Sequence, residues 1–205
     1  MAVYKLIRLR RRPAGMTPDI FHATWLAEAL ATVDSIAGLL GYVQNHCLAG
    51  GYRAREPLFD GYAEEYYASA DARTARASPD GDDVLLPVEV TVIRDGPQPP
   101  DAIKSIELIR RRPDLRHGDF DRYWRDCHGP LACAIPFLRY EQNHLTAAAR
   151  DPAIAFHGAA ITWFGSTAEM RTVAGSEAYR RTRADEANFL DGTSPVLLTT
   201  AHKLR

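Results

Sequence analysis

The chain has few of the features that mark secreted, membrane-bound or nucleic-acid-binding proteins. Its 205 residues include only three cysteines, with no CxxC pair and no even set at disulfide spacings, which indicates a reducing compartment. No apolar run reaches the roughly 18 residues that a membrane-spanning helix requires, and residues 1–12 lack the apolar core of a signal peptide. The net charge is −1, with acidic and basic residues interleaved. We therefore predict a cytoplasmic protein that binds neither membrane nor nucleic acid.

Several catalytic motifs are absent as well. The sequence contains no GxGxxG or Walker A loop, no HExxH helix and no GxSxG turn, so it gives no support to nucleotide-binding, zinc-protease or serine-hydrolase function. His128, His144 and His157 fall on separate predicted elements. Sequence spacing alone does not show whether they come together, so a metal site formed by these three histidines stays a possible alternative. We predict that the protein uses no metal and no organic cofactor.

What the sequence does contain is an internal repeat with a period of about 100 residues. The run Arg10–Pro13 recurs as Arg110–Pro113, and the run Tyr42–His46 recurs in related form as Tyr140–His144. Single residues match in the same order: Phe21 with Phe120, Trp25 with Trp124, Gly61 with Gly158, and Ser69 with Ser166. A period of this length indicates two copies of a whole small domain rather than the short unit of a solenoid.

Both halves predict the same succession of elements. Alternating apolar residues predict opening strands at 3–9 and 103–109, and runs rich in apolar and β-branched residues predict later strands at 39–48, 58–67, 84–93, 137–145, 155–164 and 195–202. Apolar residues three, four and seven apart predict one helix from Thr17 and another that Gly129-Pro130 should end. Ser69 begins a second helix in the first half, and a capping box at Ser166 begins one that should extend to about Phe189.

This order, βαββαβ twice, predicts the α+β class. Each half should form a ferredoxin-like repeat, with a four-stranded antiparallel sheet and both helices on one face. We place the repeats at 1–95 and 101–205, joined by a stiff, proline-rich linker. The open sheet faces should pack against each other, which would give an α+β barrel within one chain, a pseudo-dimer.

His128 is the first candidate for chemistry. It follows Trp124 by four positions, so we place it on the side of its helix that faces the sheet, near the end of that helix. The helix dipole favours its protonated form and burial opposes it, which would leave its pKa near neutrality and suit a general acid or base. The matching residue of the first half is Ala29. A core histidine that only binds a terminal carbonyl is an equally good interpretation.

Polar pairs on the predicted strands are further candidates. Gln44 with His46, and Gln142 with His144, share strand faces, because every second residue of a strand points to the same side. A polar pair on a face covered by helices needs internal partners or a cavity that holds ligand. Each pair therefore lines a ligand pocket or forms a satisfied polar bridge.

Acidic and aromatic residues complete the candidate site. Asp60 and Glu64 share a face of a central strand, where burial would raise a carboxyl pKa, although an ion pair with an arginine is an alternative role. Glu107, on an opening strand, is a further candidate, and an ion pair with an arginine is again the alternative role. Trp124 and Trp163 are either apolar walls of a pocket or ordinary core. The predicted catalytic residues are His128, His144, Asp60 and Glu64, and the predicted substrate-binding residues are Gln142, Asn143, Trp124, His157, Trp163, Gln44 and His46.

Several of these residues fall in stretches that resemble the EthD-domain family of the dimeric α+β-barrel superfamily. The similar stretches are Tyr123–Ala132, Leu138–Tyr140, Gln142–His144, Asp185–Asp191 and Ser194–Val196. The most specific part is the Trp-x-x-x-His-Gly-Pro element, and Asp60-Gly61 with Glu64 is similar to the family's third-strand motif. The two copies depart from the pattern in complementary ways. The first lacks His-Gly-Pro, and the second has His157 and Ile161 in place of the aspartate and the glutamate.

The resemblance implies a pocket between helices and sheet in each half. Members of the superfamily include cofactor-free enzymes acting on aromatic, lactone or polyketide-like substrates, and heme-degrading oxygenases. We therefore expect a small lyase or isomerase that performs dehydration, isomerisation, cyclisation or decarboxylation by general acid/base chemistry on an oxygenated aromatic or polyketide-like small molecule. The alternatives are an accessory or ligand-carrying protein for a neighbouring oxygenase, or a heme-binding member. A homodimer is compatible with each of these functions.

Overall fold

A computed structural model describes residues 3–53, 55–76, 83–150, 155–192 and 194–205. The strands are β1 Tyr4–Arg10, β2 Leu39–Cys47, β3 Gly61–Tyr67, β4 Val84–Arg94, β5 Ile103–Ile109, β6 Arg139–Leu145, β7 Gly158–Phe164 and β8 Val196–Lys203. The α-helices are α1 Pro18–Thr32, α2 Ala70–Arg76, α3 His117–Tyr123, α4 Gly129–Ala132, α5 Thr167–Ala174 and α6 Glu177–Asp185. Within the described ranges, no helix has both the length and the apolar character that crossing a membrane requires.

The elements belong to two compact units. The first consists of Met1–Glu89 with Leu197–Arg205, and the second consists of Val90–Val196. This division differs from the predicted domains at 1–95 and 101–205, because most of β8, the last strand of the predicted second domain, belongs to the first unit. The end of β4 belongs to the second unit.

In the first unit the strand neighbours follow the order β4-β1-β3-β2-β8, and every pair is antiparallel. The helix α1 begins where Thr17 accepts a hydrogen bond from the backbone N–H of Ile20 and where Pro18 supplies a favourable first residue. Its Phe21 and Trp25 are buried in a cluster that includes Ala63 of β3. Since Gln44 of β2 pairs with Ala63, it shares this helix-covered face.

In the second unit the strand neighbours follow the order β5-β7-β6, again antiparallel. Phe120 and Trp124 are buried in a cluster against which Ala160 of β7 packs. Ala160 pairs with Glu107 of β5 and with Gln142 of β6, so both polar residues lie on the face that α3 covers. The alternate residues of the three strands lie on the opposite face.

The predicted α+β class is confirmed, since antiparallel strands and helices form both units. The strands overlap the predicted runs, although consecutive residues are buried in β1, β3 and β6, so that both faces of these strands are covered. The origin of the halves as ferredoxin-like copies of one module, and their joining into one barrel, stay predictions.

The long helix expected from Ser166 to about Phe189 is instead divided. α5 ends at Gly175, and Ser176 starts α6 by accepting a hydrogen bond from the backbone N–H of Tyr179 at 3.1 Å. A glycine followed by a capping serine ends one helix and begins the next. The break matters for function because it sets the direction of α6, whose last turn reaches the candidate site.

Candidate functional site

The predicted helix break at Gly129-Pro130 is wrong. The chain continues from α3 through a π-helical turn, Trp124–His128, into α4. The backbone N–H of Gly129 donates to the carbonyl of Trp124, five residues earlier, whereas Pro130 has no N–H for the carbonyl of Asp126. A π turn accommodates the missing bond without ending the helix, and such turns are frequent at functional sites.

The π turn is held against β6. The side-chain Nε2 of Gln142 donates to the same Trp124 carbonyl at 2.7 Å. Gly129 allows this close approach, since a Cβ at that position would lie 3.0 Å from Ile93 and 3.3 Å from Nε2 of Gln142. The sheet therefore fixes the position of the turn that presents His128.

His128 is bound to Asp185 at the end of α6. Its Nδ1 lies 2.9 Å from Oδ2 of Asp185, and Oδ1 of the same carboxylate accepts from the hydroxyl of Tyr123 at 2.7 Å and from Nδ2 of Asn188 at 2.9 Å. The His128 ring is only 5% exposed and lies 4.7 Å from the Phe189 ring. The imidazole therefore has a fixed orientation in an environment with little water.

The protonation state of this pair follows from burial and hydrogen bonding. Burial is the largest effect on His128 and lowers its pKa, and the hydrogen bond to Asp185 opposes it. The pKa of Asp185 is lowered, because hydrogen bonds from Tyr123, His128 and Asn188 outweigh its burial. A neutral imidazole that donates through Nδ1 to a carboxylate leaves Nε2 as a base. The expected position at a helix end is wrong, because the helix continues from His128 into α4.

A second polar cluster contains Glu107, Arg183 and Glu186. Nη1 of Arg183 lies 2.9 and 3.0 Å from the two carboxylate oxygens of Glu107, and 2.9 Å from Oε1 of Glu186. Burial raises the pKa of Glu107 despite the attraction of Arg183. Burial, and then repulsion by Glu107, raise the pKa of Glu186 to about 8. One guanidinium thus serves two carboxyl groups.

An open cleft of about 560 Å³ gives access to this cluster. The residues around it are Arg112, Pro113, Asp114, Arg183, Glu186, Ala187, Leu190, Asp191 and Gly192. Arg183 and Glu186 therefore lie in its wall, and Asp185, the partner of His128, precedes Glu186 in the chain. Sequence analysis did not select Asp185, Arg183 or Glu186 as site residues.

The Gln-His pairs are internally satisfied in both units. Nδ1 of His144 lies 3.0 Å from Asp121, and its Nε2 lies 3.1 Å from Oε1 of Gln142. In the first unit, Nε2 of His46 lies 2.7 Å from Oε1 of Gln44, whose Nε2 donates to the Trp25 carbonyl at 3.3 Å. These contacts match the polar-bridge alternative, and a ligand role for the four residues stays a prediction.

Asp60 and Glu64 belong to the first unit and are ion-paired. Asp60 accepts from the backbone N–H of Arg12 at 2.8 Å and also pairs with the Arg12 guanidinium. Glu64 lies 2.7 Å from Nζ of Lys5. Glu64 pairs in the sheet with Val43 rather than Gln44, so it lies on the face opposite the Gln-His pair. Their catalytic role stays a prediction.

Trp163 and Asn143 lie on the face of the second sheet opposite Trp124, because they alternate with residues paired to Gln142 and His144. The Trp163 ring is beneath Nζ of Lys104 at 4.8 Å. Trp163 and Trp124 therefore do not share a face of the sheet, and their role as pocket walls stays a prediction.

His157 lies just before β7. Its Nδ1 accepts from the backbone N–H of Arg111 at 3.2 Å, and burial lowers its pKa to about 4. This contact joins the residue to the start of the Arg-rich turn after β5. A substrate-binding role for His157 stays a prediction.

Residues 112–193 match the model of the EthD domain. The matched segment includes the π turn, His128, Asp185, Arg183 and Glu186, whereas Glu107 precedes it. No curated protein sequence matches the chain.

Solved structures match nearly the whole chain. An anthrone oxidase-like protein has a TM-score of 0.67 at 11% identity, covering 98% of this chain and 93% of its own. A presumed monooxygenase from Fusobacterium nucleatum has a TM-score of 0.58 at 9% identity, with coverages of 99% and 92%. A chlorite dismutase variant from Candidatus Nitrospira defluvii has a TM-score of 0.58 at 11% identity, with coverages of 98% and 92%.

At these identities the likeness shows the fold, which is α+β like the EthD segment itself. The neighbours carry the names of an oxidase, a monooxygenase and a chlorite dismutase. The predicted enzyme class, lyase or isomerase, is therefore wrong, because the names belong to oxidoreductases.

Among the histidines of the second unit, His128 has the surroundings of a possible iron ligand and His144 does not. A histidine that ligates iron often donates its other ring nitrogen to a carboxylate, as His128 does to Asp185. The His128 ring also lies against the Phe189 ring at 4.7 Å. Both ring nitrogens of His144 are hydrogen-bonded, and the cleft beside Arg183 is lined by no histidine. Among the described residues, no group of three or more histidine, cysteine or acidic side chains could hold a metal ion.

Proposed function

We propose that the chain is an oxidoreductase whose EthD domain removes a proton from an oxygenated aromatic small molecule and allows the resulting carbanion to react with dioxygen. The observation that supports the proposal most strongly is the His128–Asp185 pair. A buried, neutral imidazole oriented by a carboxylate has the properties of a general base.

The reaction balances for a substrate with a CH2 group conjugated to a carbonyl. Nε2 of His128 takes one proton from the CH2 group, and the carbanion adds to dioxygen, which forms a C–O bond. The imidazolium returns its proton to the terminal oxygen, giving a hydroperoxide. Removal of the second C–H proton by His128, with cleavage of the O–O bond, leaves a ketone, and the departing hydroxide takes the proton from His128 as water. The net change is CH2 plus O2 to C=O plus H2O.

Two features support this substrate class. One structural neighbour is named as anthrone oxidase-like, and an anthrone has such a CH2 group between two aromatic rings. The His128 environment is largely apolar, with Phe189 against the imidazole and Trp124 in the same cluster, and such surroundings suit an aromatic ligand. A homodimer is compatible with this proposal and stays a prediction.

The test uses anthrone as the probe, with dioxygen uptake and product absorbance as readouts. We expect turnover by the wild-type chain and a loss of about 100-fold or more in His128→Ala, as for removal of a general base. His117→Ala is the matched control, since it removes a histidine from the same unit outside the pair. Equal activity in His128→Ala would contradict the proposal. Retention of anthrone without product would favour the ligand-carrying alternative.

Heme binding is tested separately by adding hemin and recording absorbance. Because we assign His128 the role of a base and the cleft beside Arg183 has no histidine in its lining, we expect no persistent Soret shift. A shift that His128→Ala abolishes would make this residue a heme ligand and would replace its proposed role as a base.

A further inference from the structure

We propose that Glu186 is the acid of this same site: as a neutral carboxylic acid it donates a hydrogen bond to the substrate's carbonyl oxygen while His128 removes the proton. The inference rests on the proposed function and deepens it. It restricts the substrate to a ketone whose acidic C–H is conjugated to the carbonyl, since only then does negative charge develop on that oxygen.

Arg183 neutralises the negative charge of Glu186 only in part, because it also pairs with Glu107. Glu107 uses both of its oxygens on Nη1 of Arg183, whereas Glu186 contacts the same nitrogen through Oε1 only. The carboxyl side chains of Glu107 and Glu186 are only 17% and 14% exposed. Two carboxylates that share one cation in a site with little water cannot both remain ionised at low cost. One proton is therefore retained by the pair.

The titratable groups that act on Glu186 or share its surroundings are Glu107 on β5, Tyr140 on β6, and Tyr179, Arg183 and Asp185 on α6. A second cation, Arg112, lies in the same cleft wall and donates to the Ala187 carbonyl at 3.0 Å, but its guanidinium is paired with Asp114. Asp185 keeps its own negative charge because Tyr123, His128 and Asn188 donate to it. The retained proton accordingly belongs to Glu186, whose pKa of about 8 agrees with this assignment.

The position of Glu186 suits a donor to substrate. It lies in the wall of the cleft beside Arg183, and it follows Asp185, which holds the base, by one residue. A molecule bound in the cleft therefore contacts Glu186, and the neighbouring residue Asp185 holds the base, His128. A carboxyl group kept neutral by its surroundings can stabilise an enolate by hydrogen bonding, and that interaction is stronger in a site that excludes water.

The protonation of Glu186 is tested without substrate. In protein with ¹³C-labelled glutamate carboxyl groups, we expect one carboxyl signal to titrate near pH 8 and to disappear in Glu186→Gln. Glu107→Gln removes the neighbouring charge, so it should move this midpoint downward. Glu177→Gln, an exposed acid of the same helix, is the control. If every glutamate signal titrates near the ordinary pKa of 4.5, the inference is overturned.

The role of Glu186 is tested by activity on anthrone, with circular dichroism to monitor folding. Glutamine keeps an N–H donor at any pH, so Glu186→Gln should retain most of the wild-type turnover. Wild-type turnover should fall as pH rises through about 8, and the glutamine variant should lack this fall. Glu186→Ala should lose about 100-fold, as for removal of one oxyanion donor. A glutamine variant as inactive as the alanine variant would refute hydrogen-bond donation.

The two proposals can fail separately. Absence of turnover in the wild-type chain would overturn the proposed function and, with it, the hydrogen bond to substrate, whereas the carboxyl titration would still show whether Glu186 holds a proton. Turnover that depends on His128 and is indifferent to Glu186→Ala would overturn this inference alone.

Discussion

The two units share one helix-on-sheet contact and differ in what lies around it. In each, a glutamine of the second strand donates to the carbonyl of a helix tryptophan, at 3.3 Å in the first unit and at 2.7 Å in the second. In each, a glycine of the third strand lies under that tryptophan, where an added Cβ would be 2.9 Å from the ring. Residues that recur in both units therefore build the packing between helix and sheet.

The differences are concentrated in helix geometry and in charge balance. α1 is a regular helix with Ala29 in the core, whereas the second unit has a π turn that ends at His128. In the first unit, buried Arg8 pairs with Glu65 at 2.9 Å and with Asp83 at 3.3 Å. Glu65 and Asp83 each contact a second arginine, Arg76 at 3.8 Å and Arg10 at 3.2 Å, whereas Glu107 and Glu186 share Arg183. The proposed chemistry thus lies where the two units differ, and the comparison of the units is therefore informative about function.

The largest expected effect concerns the partner of the base. Asp185→Asn keeps the size of the side chain and removes its negative charge, so His128 should lose the preferred Nδ1–H form that leaves Nε2 free. We expect kcat on anthrone to fall at least about 100-fold, with a normal circular dichroism spectrum. Asp126→Asn, on the exposed side of the π turn, is the control. Unchanged kcat in Asp185→Asn would show that the pair is a structural contact.

A smaller effect is expected when the second helix is made to resemble the first. Pro130→Ala restores an N–H that can donate to the Asp126 carbonyl, which favours a regular α-helix over the π turn. Displacement of His128 should lower kcat by about tenfold, since small misplacements of catalytic groups are costly, while the free energy of unfolding should stay equal or rise. Pro136→Ala, outside any helix, is the control. A fall in stability would contradict this account of the π turn.

Sequence reasoning found the strands and His128 but not its partners. Alternating and apolar runs placed the strands, and the contrast between His128 and Ala29 selected the histidine. Asp185 lies 57 residues away on another helix, and no local pattern records such a contact. The shared guanidinium of Arg183 was equally hidden, because competition between two carboxylates exists only in three dimensions.

The shared glycines test the common packing, and here both units should respond alike. Gly61→Ala and Gly158→Ala each place a Cβ against the carbonyl of the neighbouring strand. Without backbone movement, the new Cβ would lie 2.4 Å from the Asn45 carbonyl oxygen in the first unit and 2.5 Å from the Asn143 carbonyl oxygen in the second. Each variant should lose about 1–3 kcal/mol of unfolding free energy by overpacking, measured by denaturant titration. Gly118→Ala is the control, since no atom lies within 4 Å of its Cβ. A loss in only one unit would show that the packing is not equivalent.

The smallest expected effect distinguishes the first unit by its response to acid. The ring of His46 lies 4.4 Å from that of His22 and 4.5 Å from that of His202, and burial followed by these neighbours lowers its pKa to about 3. The unfolded chain, with an ordinary histidine pKa of 6.5, binds this proton more readily than the folded chain, so stability is lost as pH falls from about 6.5 towards 3. In His46→Phe, which keeps a ring and cannot be protonated, this part of the loss should vanish, as measured by the unfolding free energy at several pH values. If the variant loses as much stability in acid as the wild-type chain does, the stacked histidines contribute nothing to its acid sensitivity.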